Sequence, residues 1–440
     1  MKKLFSMLLI LSALMLVLSA CGDGDGDAGS SSDGKKDEKA GKETITFINH
    51  KTDWTGNGKW DEYIKEFNKS HPDIEVKIET ITDYAGQMQI RMNSKDYGDV
   101  FMLPDTVKPQ DFAHFVEAIG KEDELSEKYM GLSNKTFEGN TYGLPIGVNA
   151  SGMLVNMKVF NDAGITTFPT TPEDFAAALK TIKEKNPEVT PLYTNYAANW
   201  TMANWDFVRI GASGNIDVTN EMAISETPFA EGEIMNTIYK VLYDTVSQGF
   251  TEADPSTTDW EQSKQDLADG KIGIMVLGSW AIEQVQAISE NPDDIQFMAF
   301  PTTAEDGKQY TVIGPDYFMA INTNSEQKEA ARTFLDWFIN ESNYSEDTGS
   351  ISAVKGREYP KALQSMEAAG VEFIEGNPAP EGKESLFSDV NNAAEIGLDT
   401  TDATKQRIVD AAKGNTKESF DEIMEDLNKK WGNAVKEVVK

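Results

Sequence analysis

Hydrophobic positions along this chain switch repeatedly between two periods. Ile45-Thr46-Phe47-Ile48 is a short β-prone run, and Ile74 to Ile81 alternates strictly, as a half-buried strand does. Between them Trp60, Ile64 and Phe67 fall at helical spacing with Tyr63 beside them. Asp83 is placed to cap a helix carrying Tyr84, Met88 and Met92, and Val100 to Leu103 is an apolar strand closed by Pro104. Phe112, Phe115, Val116 and Ile119 predict a further helical stripe. This β-α-β-α-β rhythm predicts an α/β sandwich with a mostly parallel sheet.

The rhythm resumes after residue 140. Thr171-Pro172-Glu173-Asp174 reads as a cap, a first-turn proline and acids at the positive end of the helix dipole, ahead of Phe175, Leu179 and Ile182. Ile234, Ile238, Val241 and Leu242 predict a helix stopping near Gly249. Ile272 to Leu277 suits a central strand, and Ile295–Phe300 and Tyr317–Ile321 are further strands. Ala330, Phe334 and Phe338 line a helix, and residues 417–436 form a last one around Phe420, Ile423, Leu427 and Trp431.

The start of the chain reads as an address. Met1-Lys2-Lys3 precedes an apolar run, Leu4 to Val17, too short to span a bilayer comfortably and suited to a signal-peptide core. Leu18-Ser19-Ala20-Cys21 resembles the lipobox of bacterial lipoproteins, in which the cysteine is diacylated and becomes the first mature residue. Residues 1–20 are therefore expected to be a lipoprotein signal peptide, and residues 21–42 a lipid anchor and flexible linker. Gly22 to Gly41 has no large apolar side chain to offset ordering entropy. Asp23 to Asp27 looks briefly like a calcium loop, but Ala28 and Gly34 stand where Gly and Glu are needed.

Charge and residue counts then narrow the chemistry. Across 440 residues, 73 Asp+Glu against 40 Lys+Arg give a net charge of −33, a field that repels phosphate backbones, so no nucleic-acid role is expected. One cysteine and three histidines (His50, His71, His114) leave no disulfide, no cysteine zinc cluster and no HExxH site, so neither metal nor cofactor is expected. There is no P-loop, and Gly211-Ala212-Ser213-Gly214 fails the GxSxG pattern because Asn215 follows. A carboxylate pair for glycoside hydrolysis needs only two acids about 5–10 Å apart, which so acidic a sequence leaves open.

Aromatics at strand and loop ends supply the candidate site. Trp54 follows the first strand with Asp53 before it, Trp200 and Trp205 lie in a polar stretch with Asn199 and Asn204, and Trp280 follows the Ile272–Leu277 run. Ligands of open α/β sheets sit at strand carboxyl ends. A flat indole beside amides and carboxylates matches the apolar face and hydroxyls of a sugar. Core or lobe-interface packing is the alternative for each tryptophan; it suits Trp280 least, Trp205 better, and Trp60 and Trp431, on helical stripes, best.

Several segments, in order, resemble the extracellular solute-binding proteins of bacterial ABC importers, in the carbohydrate-binding family that includes maltose-binding proteins. They are Ile45 to Ile78 with His71-Pro72-Asp73; Gly98-Asp99-Val100, similar to "PDV" with Gly98 in place of the proline; and Tyr142-Gly143-Leu144-Pro145. Then come Leu154 to Phe160, Ala163-Gly164-Ile165 and Pro169 to Phe175, similar to "YNKdlFekaGI…PPkTWeEF" with Pro172 at the usual Trp. Last are Gly270 to Trp280, similar to "GkaAM…GsW", and Gly314 to Phe338.

The resemblance implies a two-lobed periplasmic-binding-protein-like α/β fold of type 2, with a ligand cleft between hinged lobes. Residues 43–148 plus 315–351 would form the first lobe, and 149–314 plus 352–440 the second, with crossings near Leu144–Asn149 and Val312–Asp316. It implies a non-catalytic monomer that captures a sugar or oligosaccharide outside the cell and hands it to a membrane permease. Trp280 matches the family's aromatic platform, Asn149 a polar ligand position at the first crossing, Asp105 a loop aspartate, and Asp53 and Trp54 the loop after the first strand. Asp316 is added from its place beside the second crossing. A polyamine receptor and a tethered glycoside-active enzyme are the competing readings.

Overall fold

The computed structural model describes residues 42–439 apart from Asp83, Asp105 and Asn199. The leader, Cys21 and the polar tether lie outside the described residues, and Lys42–Lys440 form one compact unit. Within it are two main sheets, each with its own apolar core.

The first sheet runs, edge to edge, Ile74–Thr80, Glu43–Asn49, Val100–Met102, Phe318–Ile321 and Leu144–Pro145. Its first three strands are parallel. Phe318–Ile321 returns from far along the chain and pairs antiparallel on both sides. Ile45 and Phe47 are fully buried. Helix Lys59–Ser70 turns Trp60, Tyr63 and Phe67 inward, and helix Lys328–Asn340 contributes Phe334 and Phe338. The rings interlock, Phe47 meeting Trp60 edge-on at 5.6 Å between centroids and Phe334 at 5.5 Å.

The second sheet has the order Glu372–Ile374, Tyr310–Pro315, Val148–Asn156, Ile272–Gly278 and Thr190–Leu192, with Ile295–Met298 also on Val148–Asn156. Side chains of the long Val148–Asn156 strand alternate between two cores, Met153 and Val155 to one face and Ala150 and Leu154 to the other. Ile272–Gly278 is buried along its whole length, as a near-continuous apolar run demands. One face is covered by helices Pro172–Lys185, Ile234–Ser247 and Phe420–Val438. Thr171 caps the first of these, accepting from the Asp174 amide at 3.1 Å, and Ser419 with Glu422 forms a capping box on the last.

Two expectations are corrected. The three strands behind the parallel expectation do pair parallel, but the strands added to them, Phe318–Ile321 and Leu144–Pro145, pair antiparallel, and in the second sheet Val148–Asn156 runs antiparallel to all three of its partners. The stripe from Phe112 to Ile119 is a helix only over Phe112–Phe115. Beyond it the backbone finds better partners across the fold: Val116 bridges Asn322, Glu117 N–H donates to the Ile321 carbonyl and Ile119 N–H to that of Thr141.

The chain passes from the first sheet to the second between Pro145 and Val148, and back between Pro315 and Phe318. A third segment lies beside them, where Val148 and Ile351 exchange backbone hydrogen bonds at 2.8 and 2.9 Å. Gly147 is needed for this approach, since a Cβ there would stand 2.4 Å from Ser350 Oγ.

Candidate functional site

Where the sheets exchange strands, a cavity of about 350 Å³ opens. Strand Val148–Asn156 brings Asn149 to it, the end of Tyr310–Pro315 brings Gly314 and Pro315, and the crossing itself brings Asp316 and Tyr317. Trp280 enters from the end of Ile272–Gly278, and the short helix Asn204–Phe207 adds Asn204 and Phe207.

Trp280 is held by the residues around it. Its indole folds back over Gly278, where a Cβ would lie 2.4 Å from Nε1, so only glycine leaves room. Ser279 does not cap the helix that follows: its Oγ accepts from the Ala150 amide at 2.9 Å and donates to Asn149 Oδ1 at 3.4 Å. The buried strand partner outcompetes the helix end for that hydroxyl, and the bond leaves the Asn149 amide NH2 for other partners. Trp280 also touches Trp200 and Trp260, with centroids at 5.7 and 5.8 Å, and those two meet at 5.2 Å. Trp200 is 43% exposed, so the three indoles form an aromatic wall at the surface. On the other side of the cavity Tyr317 stacks on His50 at 4.0 Å.

Polar groups complete the lining. Asp316 is its only carboxylate among the described residues. Outside the lining, the buried Glu252 carboxyl accepts from both the hydroxyl and the amide of Thr194, and burial pushes it up from the usual carboxylate range. Among the described residues no cluster of three or more metal-ligating side chains occurs. A flat ring, amide and hydroxyl groups and a carboxylate can stack on and hydrogen-bond a neutral polyol.

Thus the structure brings together Trp280, Asn149 and Asp316, with Trp200 against Trp280. Trp54 lies elsewhere. It is 7% exposed and packed among Trp60, Tyr63 and Tyr344, at 5.1 to 5.2 Å between centroids. Asp53 is in the short helix Thr52–Gly56, its side chain outside the description, and Asp105 lies outside the described residues. Trp205, Trp60 and Trp431 are core. Sequence reasoning missed Tyr317, Phe207 and Trp260. Tyr317 had a local signal, its place next to Asp316 at the crossing, whereas Trp260 looks like any residue after an Asp259 helix cap.

A larger recess of about 650 Å³ lies between Ile282–Gln286 and residues 345–362. It takes in none of the sequence-predicted residues, and its polar groups are dispersed charges such as Glu283, Glu346 and Arg357 rather than an aromatic platform.

The fold matches proteins already known. The family model for bacterial extracellular solute-binding protein matches residues 51–344, and the chain belongs to that family. A manno-oligosaccharide specific solute binding protein from Bifidobacterium animalis subsp. lactis, solved with mannotriose, is 39% identical, with a TM-score of 0.80 over 91% of this chain and 96% of that one. A binding protein of an ABC transporter from the same organism, solved with mannobiose, is 36% identical with a TM-score of 0.80, over 90% and 95% of the two chains. The multiple sugar-binding protein of Streptococcus mutans is 24% identical over 80% of this chain and 83% of its own. The two-lobed fold is that of these solute-binding proteins, and the relatives are binding proteins rather than enzymes.

Proposed function

We propose that this protein is the substrate receptor of an ABC importer, capturing an oligosaccharide outside the cell and delivering it intact to the permease. The observation that carries the reading is Trp280 beside Asn149, Asp316 and Tyr317 in one cavity where the chain crosses between sheets. The manno-oligosaccharide binders at 39% and 36% identity make mannose-type oligosaccharides the first ligands to try. Among the described residues the lining carries a single carboxylate, which weighs against a polyamine, since that would want several. It weighs equally against a glycosidase, whose chemistry needs a pair. In this reading residues 43–148 plus 315–351 move as one lobe and 149–314 plus 352–440 as the other, closing on the ligand as a monomer.

Calorimetric titration with mannobiose, mannotriose, raffinose and spermidine tests this. Binding of an oligosaccharide, recovered unchanged, is expected; binding of spermidine alone, or cleavage of the sugar, would overturn it. The proposal extends to a lipid anchor at Cys21, which with its two chains suits stable attachment at the outer face of the cytoplasmic membrane. Cys21→Ser is expected to release the protein from membranes with sugar affinity unchanged, measured by fractionation and titration; a mutant that stays bound although its leader is processed would remove the anchor.

A further inference from the structure

The segment Asn195–Arg209 carries Trp200, Asn204 and Phe207 to the cavity and its aromatic wall. Besides single bonds to Thr258, Met275, Thr219 and Tyr239, its fastenings gather on one place far along the chain, residues 399–410. Tyr196 receives a bond from Gln406 Nε2 at 2.8 Å on its carbonyl, and its hydroxyl donates to Asp410 Oδ2 at 3.0 Å. The Ala203 amide donates to Asp402 Oδ1 at 3.0 Å. Asp206 Oδ2 accepts from Lys405 Nζ at 2.6 Å and from the Asp399 amide at 2.9 Å. Arg209 grips the Asp399 carboxylate with two nitrogens, at 2.6 and 2.8 Å.

The centre of this network is dry. Asp206 and Lys405 side chains are both 0% exposed, and Tyr239 OH donates to the second Asp206 oxygen at 2.7 Å. Asp399 has φ +61°, a left-handed conformation that Asp and Asn tolerate better than most residues. That conformation accompanies an arrangement in which its amide serves Asp206 while its carboxylate serves Arg209. A buried ion pair is seldom the cheapest way to gain stability, since well-packed apolar residues often do as well; its advantage lies in fixing one arrangement. None of residues 399–410 lines the cavity.

Resting on the sugar-receptor reading above, we infer that Asp206, Lys405, Asp399 and Arg209 are positioning residues. Through them the C-terminal segment sets the placement of Trp200, Asn204 and Phe207, and so the affinity for sugar, without touching it. Trp200 and Phe207 are exposed apolar side chains, and loose attachment of their backbone would let them collapse onto nearby apolar surface.

Two measurements on the intact protein test this: hydrogen–deuterium exchange without ligand, and calorimetric titration with mannotriose well below each variant's melting temperature. Lys405→Met is expected to speed exchange across residues 195–209 while Ile272–Gly278 keeps its protection, and to weaken mannotriose binding tenfold or more. Affinity within twofold of wild type, or faster exchange spread evenly over the second sheet and its helices, would reduce the network to ordinary stability and overturn the inference. Should Lys405→Met not fold, Asp399→Asn takes its place. It keeps the amide on Asp206, suits the left-handed backbone and removes only the carboxylate from Arg209. It is expected to raise exchange at 195–209 and weaken binding threefold or more; unchanged exchange there would overturn the inference. A wild-type protein that does not bind mannotriose would count against the mannose-type ligand alone, and exchange in the unliganded protein would still decide the positioning role.

Discussion

The two lobes treat tryptophan and charge in opposite ways. Around the first sheet, Trp54 and Trp60 are spent on the interior, locked with Tyr63, Phe338 and Tyr344. Around the second, Trp200, Trp260 and Trp280 gather into one cluster whose Trp280 lines a cavity, while an aspartate and a lysine, Asp206 and Lys405, are wholly buried. A residue type therefore does not announce its use. What separates a core indole from a surface one is how fully distant elements close over it: Lys328–Asn340 helps bury Trp60 to 3% exposure, whereas Trp200, touched by Trp260 and Trp280, stays 43% exposed.

The sharpest way to break this contrast is to truncate one indole from each group. Trp60→Ala should cost about 3–5 kcal/mol of stability, the cavity cost of a buried aromatic, and leave sugar affinity of the folded protein nearly unchanged. Melting and titration of the same sample check both halves. Trp280→Ala should do the reverse, weakening binding by about 2–4 kcal/mol, roughly 30- to 1,000-fold, with a smaller drop in melting temperature. A large melting loss with intact affinity would place Trp280 with Trp60 as core.

A third variant tests charge rather than rings. Arg407 holds Glu418 on the surface by hydrogen bonds at 2.6 and 3.0 Å, and that bonding keeps the Glu418 carboxyl below its ordinary value. A depressed folded value means stability that is present above the ordinary glutamate range, near 4.5, and lost as pH falls through the folded value. With the glutamate side chain 40% exposed, solvent screening limits the contribution to about 1 kcal/mol or less. Glu418→Gln should therefore differ slightly from wild type in denaturant midpoints at neutral pH and converge with it in acid. A difference that persists unchanged below pH 3 would show that the carboxylate's charge is not what contributes.

Most strands and helices were legible because their apolar periods are long and well capped, as in Ile272–Leu277 and in the helix after Thr171. Trp280 was legible as a surface candidate because the buried run ends at Gly278 and the next residues must leave the sheet. The same cue misplaced Trp54: it too follows a strand, but its burial depends on Tyr344 and on a helix that begins at Lys328. The Phe112 stripe misled for a related reason, since Asn322 and Thr141, not local spacing, decide where its backbone bonds go. Asp206 and Lys405 carry no pattern at all; the pair exists only once a chain separation of 199 positions has been folded together.

The place of Phe318–Ile321 in the first sheet also dictates an order of events. That strand sits between Val100–Met102 and Leu144–Pro145, so the sheet is incomplete until residue 321 has emerged, nearly three quarters of the way along the chain. A polypeptide delivered N-terminus first must therefore keep Val100–Met102 unpaired along one edge while the second sheet's central strands are still arriving. Pairings of such long sequence separation form slowly and leave edges exposed meanwhile. Closure of the first lobe therefore waits on a strand that arrives only after most of the second sheet has been made.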